Sequence, residues 1–116
     1  MTEQDTKPSR PAWSAEVGCL ADMVQYQKGS VVSRALVSKK TGTVTLFAFD
    51  KDQALSEHTA PFDALVQILD GMAEVTISGK PFNLRQGEAI LMPAGEPHAL
   101  KAVKSFKMLL VMVKAE

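Results

Sequence analysis

From about residue 30 onward the apolar positions fall into short strand-like runs, one of which has the period of two that marks a strand with one buried and one wet face. In AEVTISG, Ala73, Val75 and Ile77 alternate with Glu74, Thr76 and Ser78. The stretches SVVSRALV, TVTLFAF, ALVQILDG, PFNLR, EAILMP, HALKAV and FKMLLVMV read as short strands rich in β-branched and large apolar residues. Between them stand turn residues: Thr41-Gly42, Gln86-Gly87, Ala94-Gly95-Glu96-Pro97, and Gly79-Lys80 as a tight hairpin. Gly71, Gly79 and Gly87 are expected where the chain needs positive φ. Many short strands with turns between them predict an antiparallel sandwich or barrel, and no helical stretch is long enough for a parallel β-α-β unit.

The N-terminal part reads differently. Residues 1–15 are mostly polar and are expected to form a loose arm, with Trp13 pinning its end to the body. In EVGCLADMVQYQKG, Val17, Leu20 and Val24 recur at three- and four-residue steps, which suits either a short helical turn or an extended segment, and Gly29 closes it. The domain proper is expected over residues 16–116.

Composition narrows the function classes. With 116 residues and 46% apolar side chains, the chain makes one folded domain with a single core. Thirteen Lys and Arg balance thirteen Asp and Glu, so no basic excess exists to hold a nucleic-acid backbone or an anionic membrane surface. No apolar run approaches a membrane span, and the polar start lacks the apolar core of a signal peptide. Cys19 is the lone cysteine, so no internal disulfide forms and a cytoplasmic location is expected.

Chemistry concentrates on the two histidines, His58 in SEHTAP and His98 in PAGEPH. If His58 points inward, alternation puts Ser56 and Ala60 on its face, while His98 shares a face with Leu100 and Ala102. Small and apolar neighbours leave room for a ligand cavity in a barrel mouth.

The run GEAILMPAGEPH has the spacing G-x5-P-x-G-x2-H, from Gly87 through Pro93 and Gly95 to His98. It resembles the second motif of the cupin superfamily. Upstream, His58 followed by Gly71 resembles the first motif, G-x5-H-x-H-x3,4-E-x6-G, in degenerate form. The likeness covers roughly residues 44–113 and implies an all-β, single-domain jelly-roll β-barrel of the small conserved-barrel type, with a short N-terminal extension and a tendency to pair into homodimers. In metal-binding cupins the two motifs supply three histidines and a glutamate. Here the second histidine falls on Ala60 and the glutamate on Ala64. Asp52 stands for the motif-opening glycine, and Ala102 for the asparagine that often closes the second motif.

The resemblance leaves His58 and His98 as metal ligands. If a cofactor is held, it is expected to be one divalent transition metal (Zn, Fe, Ni, Mn or Cu), at a site short of its usual ligands. Asp63 is a replacement carboxylate if Pro61-Phe62 bulge, and Gln67 is a polar candidate in ALVQIL, although alternation sets it opposite Ala64 and Val66. The expected pocket comprises His58, His98, Ala60, Ala64, Met92, Met108 and Gln67. Met108 and Met112 share a strand face with Phe106 and Leu110 and read as adaptable core filling, while a soft His–Met site for Cu(I) is chemically allowed. The leading reading is binding of a small molecule around the two histidines, with no nucleic-acid or membrane partner. The alternative is a metal-dependent dioxygenase, isomerase or decarboxylase. Metal-free acid–base catalysis is a third, with Asp63 orienting His58, but the sole tyrosine, Tyr26, lies in the N-terminal segment. No catalytic residue is assigned.

Overall fold

A computed structural model describes residues 11–116. The expected arm at residues 1–10 lies outside the described residues. Eight strands follow one short 3-10 turn at Leu20–Asp22: β1 (Val31–Lys39), β2 (Gly42–Phe49), β3 (Ala54–His58), β4 (Phe62–Ile77), β5 (Lys80–Arg85), β6 (Ala89–Met92), β7 (His98–Lys101) and β8 (Phe106–Lys114). All the strand pairs are antiparallel, in the order β1-β2-β8-β4-β7-β3, with β5 and β6 also on β4.

The central element is β4, which runs unbroken for 16 residues through the two stretches ALVQILDG and AEVTISG. Its first half pairs with β8 and β6, and its second half with β5 and β7. The strand therefore belongs to both leaves of the barrel and turns the corner between them at Gly71. That residue has φ +78, and a Cβ there would lie 1.9 Å from the Ser105 carbonyl oxygen. Only glycine allows both the left-handed backbone and this close approach.

The apolar faces meet between the leaves. Phe49, Val66, Ile68, Val75, Phe106 and Met108 are all but completely buried. Phe49 and Phe106, partners across β2 and β8, stack with ring centroids 4.6 Å apart. Burial of such side chains at about 25 cal/mol per Å² is the main force that closes the barrel.

A second cluster lies outside the main core, where the N-terminal segment covers the sheet. Val24, Leu36, Leu46 and Ala48 are buried there, with Trp13, Leu20, Met23, Val32 and Leu109 packed against them. Trp13 thus pins the segment as expected, but Val17 is fully exposed and does not join Leu20 and Val24. The chain leaves the 3-10 turn after Asp22, so the helical spacing that linked Val17 to Val24 is never built. Polar contacts reinforce the strap. Tyr26 donates a 2.5 Å hydrogen bond to Asp70, and the largely buried Lys107 donates to the Ala21 carbonyl while lying over the Tyr26 ring.

One turn differs in detail from expectation. The β4–β5 hairpin turns on Ser78 and Gly79, both with positive φ (49° and 81°), one residue earlier than Gly79-Lys80. Two left-handed residues are what a two-residue hairpin matching the strand twist requires. Asp52, at the position of the motif-opening glycine, keeps a glycine-like φ of 72°, which aspartate tolerates better than most residues.

Candidate functional site

The two histidines meet because of a bulge. Leu55 pairs with Leu100 and His58 with His98, so three steps on β3 oppose two on β7. Under strict alternation Leu55 and His58 would point to opposite faces; the extra residue puts both on the inner face. Leu55, rather than the expected Ser56, therefore shares the pocket with His58, and Ser56 is exposed. Along β7 and the residue that follows it, alternation holds: His98, Leu100 and Ala102 are all buried.

The ring nitrogens are placed in a chain of contacts. His58 Nδ1–H donates to the Ser56 carbonyl at 2.8 Å. His98 Nδ1–H donates to the Glu96 carbonyl at 3.2 Å. Between them, His58 Nε2 and His98 Nε2 stand 3.1 Å apart, with the rings edge-to-face at 72°. A carbonyl can only accept, so each Nδ1 must carry the proton, and each neutral ring then presents a bare Nε2 lone pair to the other. Three contacts call for three positive hydrogens or their equivalent, and two neutral imidazoles bring two. Burial holds His98 below its ordinary value, and the charge His58 would carry pushes the same way, against a smaller opposing pull from the Glu96 carbonyl.

A narrow pocket of about 50 Å³ opens onto the pair. Of the expected residues, His58, His98, Ala60, Ala64, Met92 and Met108 line it, joined by Leu55, Leu100, Leu110 and Met112. Gln67 does not line it. It alternates on β4 with the buried Val66 and Ile68, and its ladder partners are Ala89 and Leu109. Asp63 is also outside: it is exposed, and its Oδ1 accepts a 3.0 Å hydrogen bond from the Ala94 N–H. It therefore neither replaces the missing carboxylate nor orients His58, whose Nδ1 is taken by Ser56. Among the described residues no group of three or more His, Cys, Asp or Glu gathers as a metal site.

The Ala64 position is informative. In the sheet, Ala64 pairs with Met92 on β6 and with Met112 on β8. The small side chain at the position of the glutamate is thus flanked by a thioether on each side.

Comparison with known proteins agrees with this architecture. The family model described as cupin domain matches residues 45–114. The chain belongs to the cupin superfamily. A solved structure of a conserved protein of unknown function from Streptococcus pyogenes is 42% identical, with a TM-score of 0.87 over 92% of this chain and 94% of that one. A cupin 2 conserved barrel domain protein from Leptotrichia buccalis is 45% identical, with a TM-score of 0.79 over 81% of this cupin and 46% of the longer chain. A cupin superfamily protein from Desulfitobacterium hafniense is 26% identical, with a TM-score of 0.85 over 91% of this chain and 99% of that one. No curated protein matches this cupin. Among its described residues no helix is long and apolar enough to cross a membrane.

The residues do not fit the full metal site of the superfamily, since Ala60 and Ala64 bring no donor atoms. They do fit a reduced one. Two imidazole nitrogens at about 2.0–2.1 Å from one ion stand about 2.9–3.4 Å apart at angles from square to tetrahedral, a range that includes the 3.1 Å separation here. A ring N–H given to a backbone carbonyl is the usual support for a histidine ligand, because it fixes the tautomer and aims the other nitrogen.

Proposed function

We propose that this cupin binds a small ligand between the leaves of its barrel, against a cation that His58 and His98 hold together. The observation that carries the reading is the 3.1 Å approach of two Nε2 atoms whose Nδ1 partners are both carbonyl oxygens. Two bare lone pairs repel at that distance, and a positive charge shared by the two rings, whether a proton or a metal ion bound by both, stabilises the arrangement. A metal ion with few protein ligands has coordination positions left for a second molecule.

The walls narrow the ligand class. Apart from the histidines they are Ala, Leu and Met, with no side-chain donors or acceptors to match the hydroxyls of a sugar. A volume of about 50 Å³ suits a few heavy atoms. We therefore favour a small Lewis base, such as a carboxylate with a short apolar body, over a carbohydrate.

Metal content measured by plasma mass spectrometry on tag-free protein, beside a His58→Ala/His98→Ala control, tests the reading. Near one metal per chain, lost in the control, supports it. No metal in the wild-type protein, before or after dialysis against divalent and monovalent transition metals, would sink it.

Assembly as a homodimer is part of the same proposal. Sedimentation at micromolar concentration should give twice the chain mass, and a clean monomer would contradict it.

A further inference from the structure

The donor set around the paired histidines is neutral and soft. Three of the chain's six methionines, Met92, Met108 and Met112, line the pocket, and no carboxylate does. Met92 and Met108 are almost wholly buried, as is His98. The thioethers are also placed in a pattern. Met92 and Met112 sit on the two strands that flank Ala64, the position at which the first motif would supply its glutamate. The hard, charged ligand is gone, and sulfur stands on both sides of the space it left.

From this we infer that the pocket is a site for a soft monovalent ion, copper(I), held by His58 and His98 with the thioethers of Met92 and Met112 as weaker ligands that a second molecule can displace. The inference rests on the reading of the histidines as a cation-holding pair and adds the identity of the ion. Two arguments favour copper(I) over a divalent ion. Thioether sulfur beside imidazole nitrogen suits soft Cu(I), whereas zinc sites are built from imidazole, thiolate and carboxylate, and Mn sites from carboxylate, carbonyl and water, without thioether. The electrostatic argument points the same way. Stripping water from a doubly charged ion costs about four times as much as from a singly charged one of equal size, and this pocket has no anion to offset it. Methionine as core filling accounts for the buried Met108, but does not by itself account for two thioethers bracketing the one position stripped of its carboxylate.

The test is anaerobic competition for ascorbate-reduced copper against bathocuproine disulfonate, with parallel zinc titrations against a fluorescent chelator. Wild type, Met92→Leu, Met112→Leu, the double Met→Leu protein and His58→Ala/His98→Ala are compared. Leucine conserves volume closely enough for the fold to survive, and thermal unfolding of each metal-free protein checks this. If the double variant fails that check, the two single variants decide. Wild type should withdraw one equivalent of copper(I), and the double variant should bind it at least about tenfold more weakly, a loss that removing a group which merely supports a ligand already causes. Zinc affinity should stay within about twofold. Copper-edge X-ray absorption of the loaded wild type should contain sulfur scattering that the double variant lacks. Copper binding unchanged by Met→Leu, with nitrogen scattering alone, overturns this inference and leaves the paired-histidine reading intact. Absence of any metal binding, or binding indifferent to His58→Ala/His98→Ala, overturns both.

Discussion

His58 Nε2 and His98 Nε2 approach to 3.1 Å while the other nitrogen of each ring is committed to a backbone carbonyl, Ser56 O and Glu96 O respectively. The backbone aims both rings, so the convergence does not depend on either side chain alone. The pair occupies two of the positions that supply ligands in metal-binding members of the superfamily, and the most direct consequence concerns the two alanines beside it.

Restoring the missing ligands should restore hard-metal affinity. Ala60→His together with Ala64→Glu places a third imidazole and a carboxylate in the pocket that both alanines already line. Zinc or nickel affinity, measured by isothermal titration, should rise at least about tenfold over wild type. Ala64 is buried between Met92 and Met112, so the metal-free variant should also melt at lower temperature than wild type, and added metal should recover the loss. An unchanged affinity would show that these positions do not face the ion.

Gly71 and Gly79 should respond very differently to alanine. Both have positive φ, which costs about 1–3 kcal/mol for a residue with a side chain. A Cβ at Gly79 meets nothing within 4 Å, whereas at Gly71 it would strike the Ser105 carbonyl at 1.9 Å. Urea unfolding should therefore show Gly79→Ala as a modest loss within that range. Gly71→Ala should lose clearly more, or fail to fold, because the two leaves must separate at the corner of β4.

Tyr26 is the sole tyrosine, so its titration can be followed alone by absorbance at 295 nm. Burial raises its pKa above the ordinary 10, and the hydrogen bond to Asp70 and the charge of that carboxylate raise it further. The folded protein should show no phenolate at pH 10, where half of a free tyrosine has ionised. The sign for stability follows: the unfolded chain releases this proton first, so stability is intact below pH 10 and declines as pH rises above it. Asp70→Asn should bring the titration back toward pH 10 and flatten that decline. Tyr26→Phe should cost about 1 kcal/mol through the lost hydrogen bond.

Much of this fold was legible in the chain. Strand-forming runs between turn residues located the strands, alternation put His98 on one face with Leu100 and Ala102, and the spacing from Gly87 to His98 gave the resemblance to the second cupin motif. What alternation misses is any departure from it. The bulge in β3 carries no glycine or proline to announce it, and it decides that Leu55 rather than Ser56 faces inward with His58. β4 contains a glycine that reads as a strand break, yet Gly71 bends the strand without ending it. The positions of Asp63 and Gln67 follow from the same rule: both lie on the outer side of β4 by period of two, and the hydrogen bond from Ala94 fixes Asp63 there. The pairing of Ala64 with Met92 and Met112 joins residues on three strands, so it exists only in the register of the sheet.

The account's central claim is that His58 and His98 act on one cation together. It is tested most directly by nitrogen NMR of the imidazole rings during titration with a single metal, with the methionine methyl signals followed in the same samples. The account predicts that both Nε2 resonances move in step and stop at one equivalent, while both Nδ1 atoms remain protonated. Two independent responses, a response from one ring alone, or no response at saturating metal would contradict it.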